Sequence, residues 1–233
     1  MLLTSHSKKT KVKHTMIKIL IDNGHGINTV GNCSPDKRLM EYAYTREIAQ
    51  MLVERLCKAG YDAQLIVTEI DDVSLKERCH RVNSLCNKLG RNNVIFISIH
   101  VDAAGDGGKW INAGGWTAYT SVGQTKADKI AECLYDAAKV HLADYAKKLE
   151  EGKNTGIYSD NQKPFRTDTL DGDSDKEANF YVLKNTNCPA VLTENLFKDN
   201  KADVDFLLSP EGKNAIVNLH FDGIVKYINS MKI

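Results

Sequence analysis

The sequence predicts a single-domain α/β fold, with a mostly parallel or mixed central sheet and helices on both faces, in the manner of many hydrolases and phosphorylases. Three observations carry this expectation. Strand-like and helix-like stretches alternate along the chain. Residues 94–100, VIFISIH, form an almost continuous β-branched and aromatic run, as a strand covered on both faces requires. Of the 233 residues, 42% are hydrophobic, enough for one sizeable core.

The elements follow in order. Residues 1–15 are basic and polar and are expected to be a disordered tail ahead of a domain at 16–233. Residues 16–22, MIKILID, read as the first strand. In 41–59, Tyr44, Ile48, Met51, Leu52 and Leu56 share one helical face, and Gly60 stands where a helix stop belongs. Residues 62–68, DAQLIVT, read as a strand. Ser74-Leu75-Lys76-Glu77 is a capping-box pattern opening a helix to Leu89, whose stripe is Leu75, Cys79, Val82, Cys86 and Leu89. After the 94–100 strand, residues 115–121 read as another strand and 125–149 as one long helix. Residues 150–178 are polar, lack a period and read as a long surface loop. YVL at 181–183 and AVLTEN at 190–195 read as short strands. Ser209-Pro210 opens a final helix that runs through residue 229, with proline at its first position.

Composition narrows the function classes. Thirty-one basic residues balance thirty acidic ones, and the net charge of +1 gives no reason to expect nucleic acid or an anionic membrane as partner. No apolar run reaches the roughly 20 residues of a membrane span, and the N-terminus lacks the apolar stretch of a secretory signal. Synthesis in the cytoplasm without a signal peptide is the expectation. The six cysteines include no CxxC pair and read as reduced, small apolar residues.

Two strand-like runs lead into histidine: Ile21 towards His25 and VIFISI towards His100. In open α/β sheets, sites gather beyond the carboxyl ends of strands, so two neighbouring strands of this kind bring two imidazoles together. Glu41, at the start of the first helix, is a third candidate. Two imidazoles and a carboxylate with one open position make a common catalytic zinc site. The ion lowers the pKa of a bound water from about 15.7 towards about 7. Such a site needs a proton shuttle that is not a ligand, and Glu194, at the end of the PAVLTE run, is the candidate. Each residue also has a plain reading. His25 suits a turn, His100 a backbone-bonded strand end, Glu41 the positive end of a helix, and Glu194 an ion pair with Lys184 or Lys198. Histidines 6, 14, 80, 141 and 220 read as tail, surface or packed helix residues.

The order of these pieces resembles the zinc-dependent N-acetylmuramoyl-L-alanine amidases of the LytC/AmiC type. The resemblance runs over nearly all of 17–229: Asp22-Asn23-Gly24-His25-Gly26, Glu41 after a loop, SLKERCHRVNS, FISIHVDA and FYVLKNTNCPAVLTENLFKDN. It implies one zinc ion bound by His25, Glu41 and His100, with Glu194 as the catalytic acid/base. It implies cleavage of the amide between N-acetylmuramic acid and L-alanine in peptidoglycan. Asp102, Asn195 and Arg166 are the expected substrate contacts. The chain departs from the family pattern at Asn23, where proline is usual, at Val101-Asp102-Ala103 after the second histidine, and at Asn195-Leu196. A catalytically silent peptidoglycan-binding module and a zinc peptidase acting on the stem peptide are the alternatives. A monomer is expected, acting on the cell wall after release as a prophage-type endolysin or a wall-remodelling enzyme.

Overall fold

The computed structural model describes residues 17–154, 162–169 and 172–231. The tail expected at 1–15 lies outside them. The elements are β1 (Lys18–Asn23), α1 (Glu41–Lys58), β2 (Asp62–Leu65), α2 (Leu75–Leu89), β3 (Val94–Asp102), β4 (Gly114–Thr120), α3 (Lys126–His141), α4 (Ala143–Asn154), β5 (Gln162–Phe165), β6 (Lys176–Glu177), α5 (Tyr181–Lys184), β7 (Ala190–Phe197), α6 (Lys201–Leu208) and α7 (Pro210–Ser230).

The strands form one mixed sheet in the order β2-β1-β3-β7-β4-β5, with β6 also pairing with β4. β2, β1, β3 and β7 run parallel, whereas β4 is antiparallel to β7. Alternating side chains feed two cores. Ile19, Ile21, Ile97 and Ile99 face α1, α3 and α7, while Leu20, Phe96 and Leu192 face α2 and α5. This two-sided burial is why the central strands read as unbroken apolar runs.

Three expectations need correction, and one helix was not foreseen. YVL at 181–183 belongs to α5, not to a strand. A three-residue apolar run carries no period, and here Val182 and Leu183 bury together in the second core. The turn is closed by Asn185 Nδ2 donating to Tyr181 O and Thr186 Oγ1 donating to Val182 O. The long helix at 125–149 is interrupted at the buried Leu142, and Tyr145 in α4 stacks on Phe206 with ring centroids 4.3 Å apart. The 150–178 stretch is not all loop: it contains the end of α4 and the two short strands β5 and β6, which take hydrogen bonds from the edges of β4. Between β7 and the final helix lies α6, which begins with the Asn200 side chain accepting from Asp203 N.

Helix α7 packs on α3 through Gly223, where a Cβ would lie 2.7 Å from Leu134 Cδ2 and 2.9 Å from Leu134 Cα. One turn earlier, His220 is fully buried, as a packed helix residue should be. Its Nε2 lies 2.9 Å from Thr193 Oγ1 and its Nδ1 2.7 Å from Ile216 O. Burial pushes this imidazole down from 6.5 to about 4.

The folded chain therefore holds His220 neutral, while the unfolded chain binds a proton as the pH falls below 6.5. Its contribution is fully present above pH 6.5 and is lost as the pH falls through about 4. A shift of this size corresponds to about 3 kcal/mol. Denaturant unfolding of the wild type and His220→Gln at pH 7 and pH 4.5 checks this. The wild type should lose more stability than the variant over that interval.

Candidate metal centre

The sequence places His25 between two glycines at the end of β1, and the structure shows why. It is the histidine that takes the left-handed conformation, with φ 64°. That costs about 1–2 kcal/mol for a residue with a Cβ. The glycines supply clearance instead. A Cβ on Gly24 would fall 2.4 Å from the His100 ring, and one on Gly26 would fall 2.0 Å from Asp72 N. The strained peptide is clamped: Arg46 Nη1 donates to His25 O at 2.9 Å and Arg78 Nη2 at 3.3 Å. The Asn32 side-chain amide lies 3.2 Å from His25 Nδ1, which orients the ring and leaves Nε2 directed at Glu41.

Glu41 opens α1 and is almost fully buried. Its Oε1 lies 3.3 Å from His25 Nε2 and 3.3 Å from His100 Nδ1, and accepts Val101 N at 3.0 Å. Its Oε2 accepts Lys198 Nζ at 2.8 Å. Burial alone would push the carboxyl up. The imidazoles of His100 and His25 and the Lys198 ammonium reverse this and hold it well below the usual carboxylate range.

β3 carries His100, and the register sets Glu194 of β7 directly beside it. The ladder then slips, because Asp102 pairs with Phe197. The extra residue on β7 is absorbed at Leu196, which has φ 65°. Asn195 fills the irregularity: its Nδ2 donates to His100 O at 2.9 Å and its Oδ1 accepts Trp116 Nε1 at 2.9 Å. Glu194 Oε2 is buried with no hydrogen-bond partner among the described residues. Burial, with the Glu41 and Asp102 carboxylates nearby, pushes the Glu194 carboxyl well above its ordinary range, against the opposing pull of Lys198.

His25, Glu41 and His100 thus present three donor atoms within 4.8 Å of one another, and the two rings meet edge to face at 5.2 Å. The donor set suits a divalent transition metal. Beside it, the unpartnered Glu194 oxygen is one whose charged form a cation would favour. The cleft above has a volume of about 300 Å³ and is lined in part by Leu75, Phe180 and Tyr181. Of the three expected substrate contacts, Asn195 is fully buried and its amide is engaged inside the fold. Asp102 is partly buried beyond His100, and Arg166 lies on the neighbouring pocket described below.

Lys198, Asn32 and Arg78 are site residues that sequence reasoning missed. Lys198 sits past an irregularity that no pattern in the sequence announces. Arg78 lies within the quoted SLKERCHRVNS stretch, and a charged residue next to the α2 apolar stripe was the available signal. Its buried guanidinium binds Asp22, Asp72 and the carbonyls of Asn23, Val73 and His25. It ties the end of β1 to α2. Arg78→Ala leaves Asp22 buried without its counter-charge and should cost about 3–5 kcal/mol in denaturant unfolding. Arg78→Lys should recover only part of this, because one ammonium cannot reach the five acceptors.

Residues 19–226 match the family described as N-acetylmuramoyl-L-alanine amidase. The N-acetylmuramoyl-L-alanine amidase CwlM of Bacillus licheniformis is 28% identical over 220 residues, covering 93% of this chain and 71% of that protein. The endolysin of Bacillus phage SPP1 is 26% identical over 219 residues, covering 92% of this chain and 67% of the endolysin. The N-acetylmuramoyl-L-alanine amidase of Clostridium difficile 630 has the same fold: TM-score 0.69 at 22% identity, over 93% of this chain and 98% of that one. The CwlV catalytic domain of Bacillus (Paenibacillus) polymyxa follows at TM-score 0.66 and 19% identity, over 92% and 99%. The matched span runs from β1 into α7 and takes in His25, Glu41, His100 and Glu194, and this chain belongs to the N-acetylmuramoyl-L-alanine amidase family.

Proposed function

We infer that this chain hydrolyses the amide bond between N-acetylmuramic acid and L-alanine in peptidoglycan. The observation that carries the reading is the convergence of His25, Glu41 and His100 beside Glu194, inside a family match that spans the whole sheet. Residues 16–233 then form one amidase domain. His25, Glu41 and His100 would hold one zinc ion, which when bound would supply Lewis-acid polarisation and a water of lowered pKa.

The chain's own groups do the rest. Lys198 keeps Glu41 ionised and takes its second oxygen, so that Oε1 faces the imidazoles. Glu194 takes a proton from the attacking water and returns it to the leaving amine of L-alanine. Its raised pKa suits the second role, and a cation at the site would pull it back towards the first. Leu75, Phe180 and Tyr181, all exposed, give the cleft an apolar rim on which substrate packs. Asn195 acts as a positioning residue that holds the His100 peptide, while Asp102 is placed to meet substrate beyond His100.

One protomer contains all four groups, so a monomer suffices. No described helix is long and apolar enough to cross a membrane. Relatives include a phage endolysin and a sporulation-specific amidase, which support action on the cell wall as a prophage-type endolysin or a remodelling enzyme after release.

Products separate the possibilities. An amidase releases peptides with a new N-terminal alanine and leaves free lactyl carboxyl groups. A stem-peptide peptidase exposes other termini, and a silent binding module yields no products. Purified protein should lose turnover on peptidoglycan when treated with a chelator and regain it on addition of zinc. Glu194→Gln should keep wild-type zinc content by elemental analysis while kcat falls by about 10²–10⁴-fold. Cleavage by that variant at the native rate removes Glu194 from the mechanism.

A further inference from the structure

Beside the cleft lies a second pocket of about 560 Å³, and its lining includes Lys163, Arg166, Lys176 and Thr167. Three cations therefore share one concavity, and among the described residues no carboxylate lines it, although Asp102 and Asp168 lie close enough to act on Lys176. The Arg166 guanidinium lies 5.3 Å over the Phe197 ring and makes one long contact, 3.4 Å, with Gly114 O. The Lys176 ammonium lies 5.9 Å over the Tyr119 ring. Burial and the neighbouring Arg166 charge lower the pKa of Lys176, and the Asp102 and Asp168 carboxylates offset part of that repulsion.

The arrangement is built into the backbone. Arg166 N donates to Trp116 O at 2.9 Å, and Arg166 O accepts the Tyr135 hydroxyl at 2.7 Å. Gly115, with φ 119°, allows β5 to come this close, because a Cβ there would fall 2.3 Å from Lys163 O and 3.0 Å from Arg166 Cγ. Two ring contacts connect the wall of this pocket to the wall of the cleft. Tyr119, under Lys176, packs edge to face on Phe180 at 5.1 Å, and Phe180 lines the cleft with His25, His100 and Glu194.

We propose that Arg166 and Lys176 form a carboxylate-binding site for the stem peptide, selecting substrates whose peptide carries a free acid near the scissile bond. This rests on the amidase reading. A planar guanidinium beside an ammonium matches a carboxylate in shape and charge. Lys176 is separated from the Phe180 wall of the cleft by contacts of 5.9 and 5.1 Å, and a peptide advances about 3.3 Å per residue, so a few residues of stem peptide span that interval.

The test uses the zinc-loaded full chain with two soluble muropeptides, one with free stem-peptide carboxylates and one with those groups amidated. Release of the peptide is followed for turnover, and calorimetry follows binding of the corresponding acidic and amidated free peptides. The wild type should prefer the acid by about 10- to 100-fold in kcat/KM, mainly through KM, as expected for charge-assisted hydrogen bonds. In Arg166→Gln and Lys176→Gln that preference should collapse towards one, whereas the distant control Lys147→Gln should keep it. Equal wild-type use and equal binding of acid and amide overturns the site and leaves the amidase reading standing. So does an unchanged preference in both pocket variants. Tighter binding of the acidic peptide, lost in Arg166→Gln, supports the site even where neither muropeptide is cleaved; that second result would overturn the amidase reading instead.

Discussion

The parallel pairing of β3 with β1 on one side and β7 on the other is the constraint on which the cleft depends. Asn23 pairs with Ile99 and Glu194 with His100, so the chain leaves β1 for His25 directly beside the second imidazole. Side chains alternate between the faces of a strand, so a one-residue slip would turn His100 into the core formed with α1, α3 and α7. The apolar residues at 97, 99 and 101 forbid that slip, since it would bring Ser98, His100 and Asp102 into that packed interior. The hydrophobic pattern of one strand thereby determines where a polar centre can be assembled.

Around that frame the charges are arranged as a chain of mutual dependence. Asp22 and Arg78 compensate one another beneath the loop. Lys198 compensates Glu41, whose other oxygen is left to the two imidazoles. Glu194 has no such partner on its buried oxygen. The distinction separates two carboxylates that the sequence presents alike: the neutralised one is fixed in its charged form, and the other is free to exchange a proton. Backbone strain is concentrated in the same region, with His25 and Leu196 both in left-handed conformations flanking the two edges of β3.

The sheet and most helices were legible in the sequence because burial on two faces and amphipathic periodicity leave long traces. His25, His100 and Glu194 were legible for a related reason, since each is a polar residue at the end of an apolar run. Glu41 was harder: by itself it is an acid at a helix N-terminus, a weak third candidate that the resemblance strengthened. Lys198 and Asn195 were opaque in their roles because a ladder irregularity decides which way they point. The strands at 162–165 and 176–177 were missed because they are short and polar and form only where the edges of β4 offer hydrogen-bonding partners.

The reversal of β4 separates two kinds of evolutionary freedom. The four parallel strands hold His25, His100 and Glu194 at their ends, in a layer where every insertion would disturb packing on both sides. Beyond the antiparallel strand, the sheet becomes a margin carrying short additions that are covered from one side and anchored through β4, Tyr135 and Asn200. Chains of this architecture can therefore acquire a new taste for wall polymers by rewriting that border, without rebuilding the hydrolytic centre.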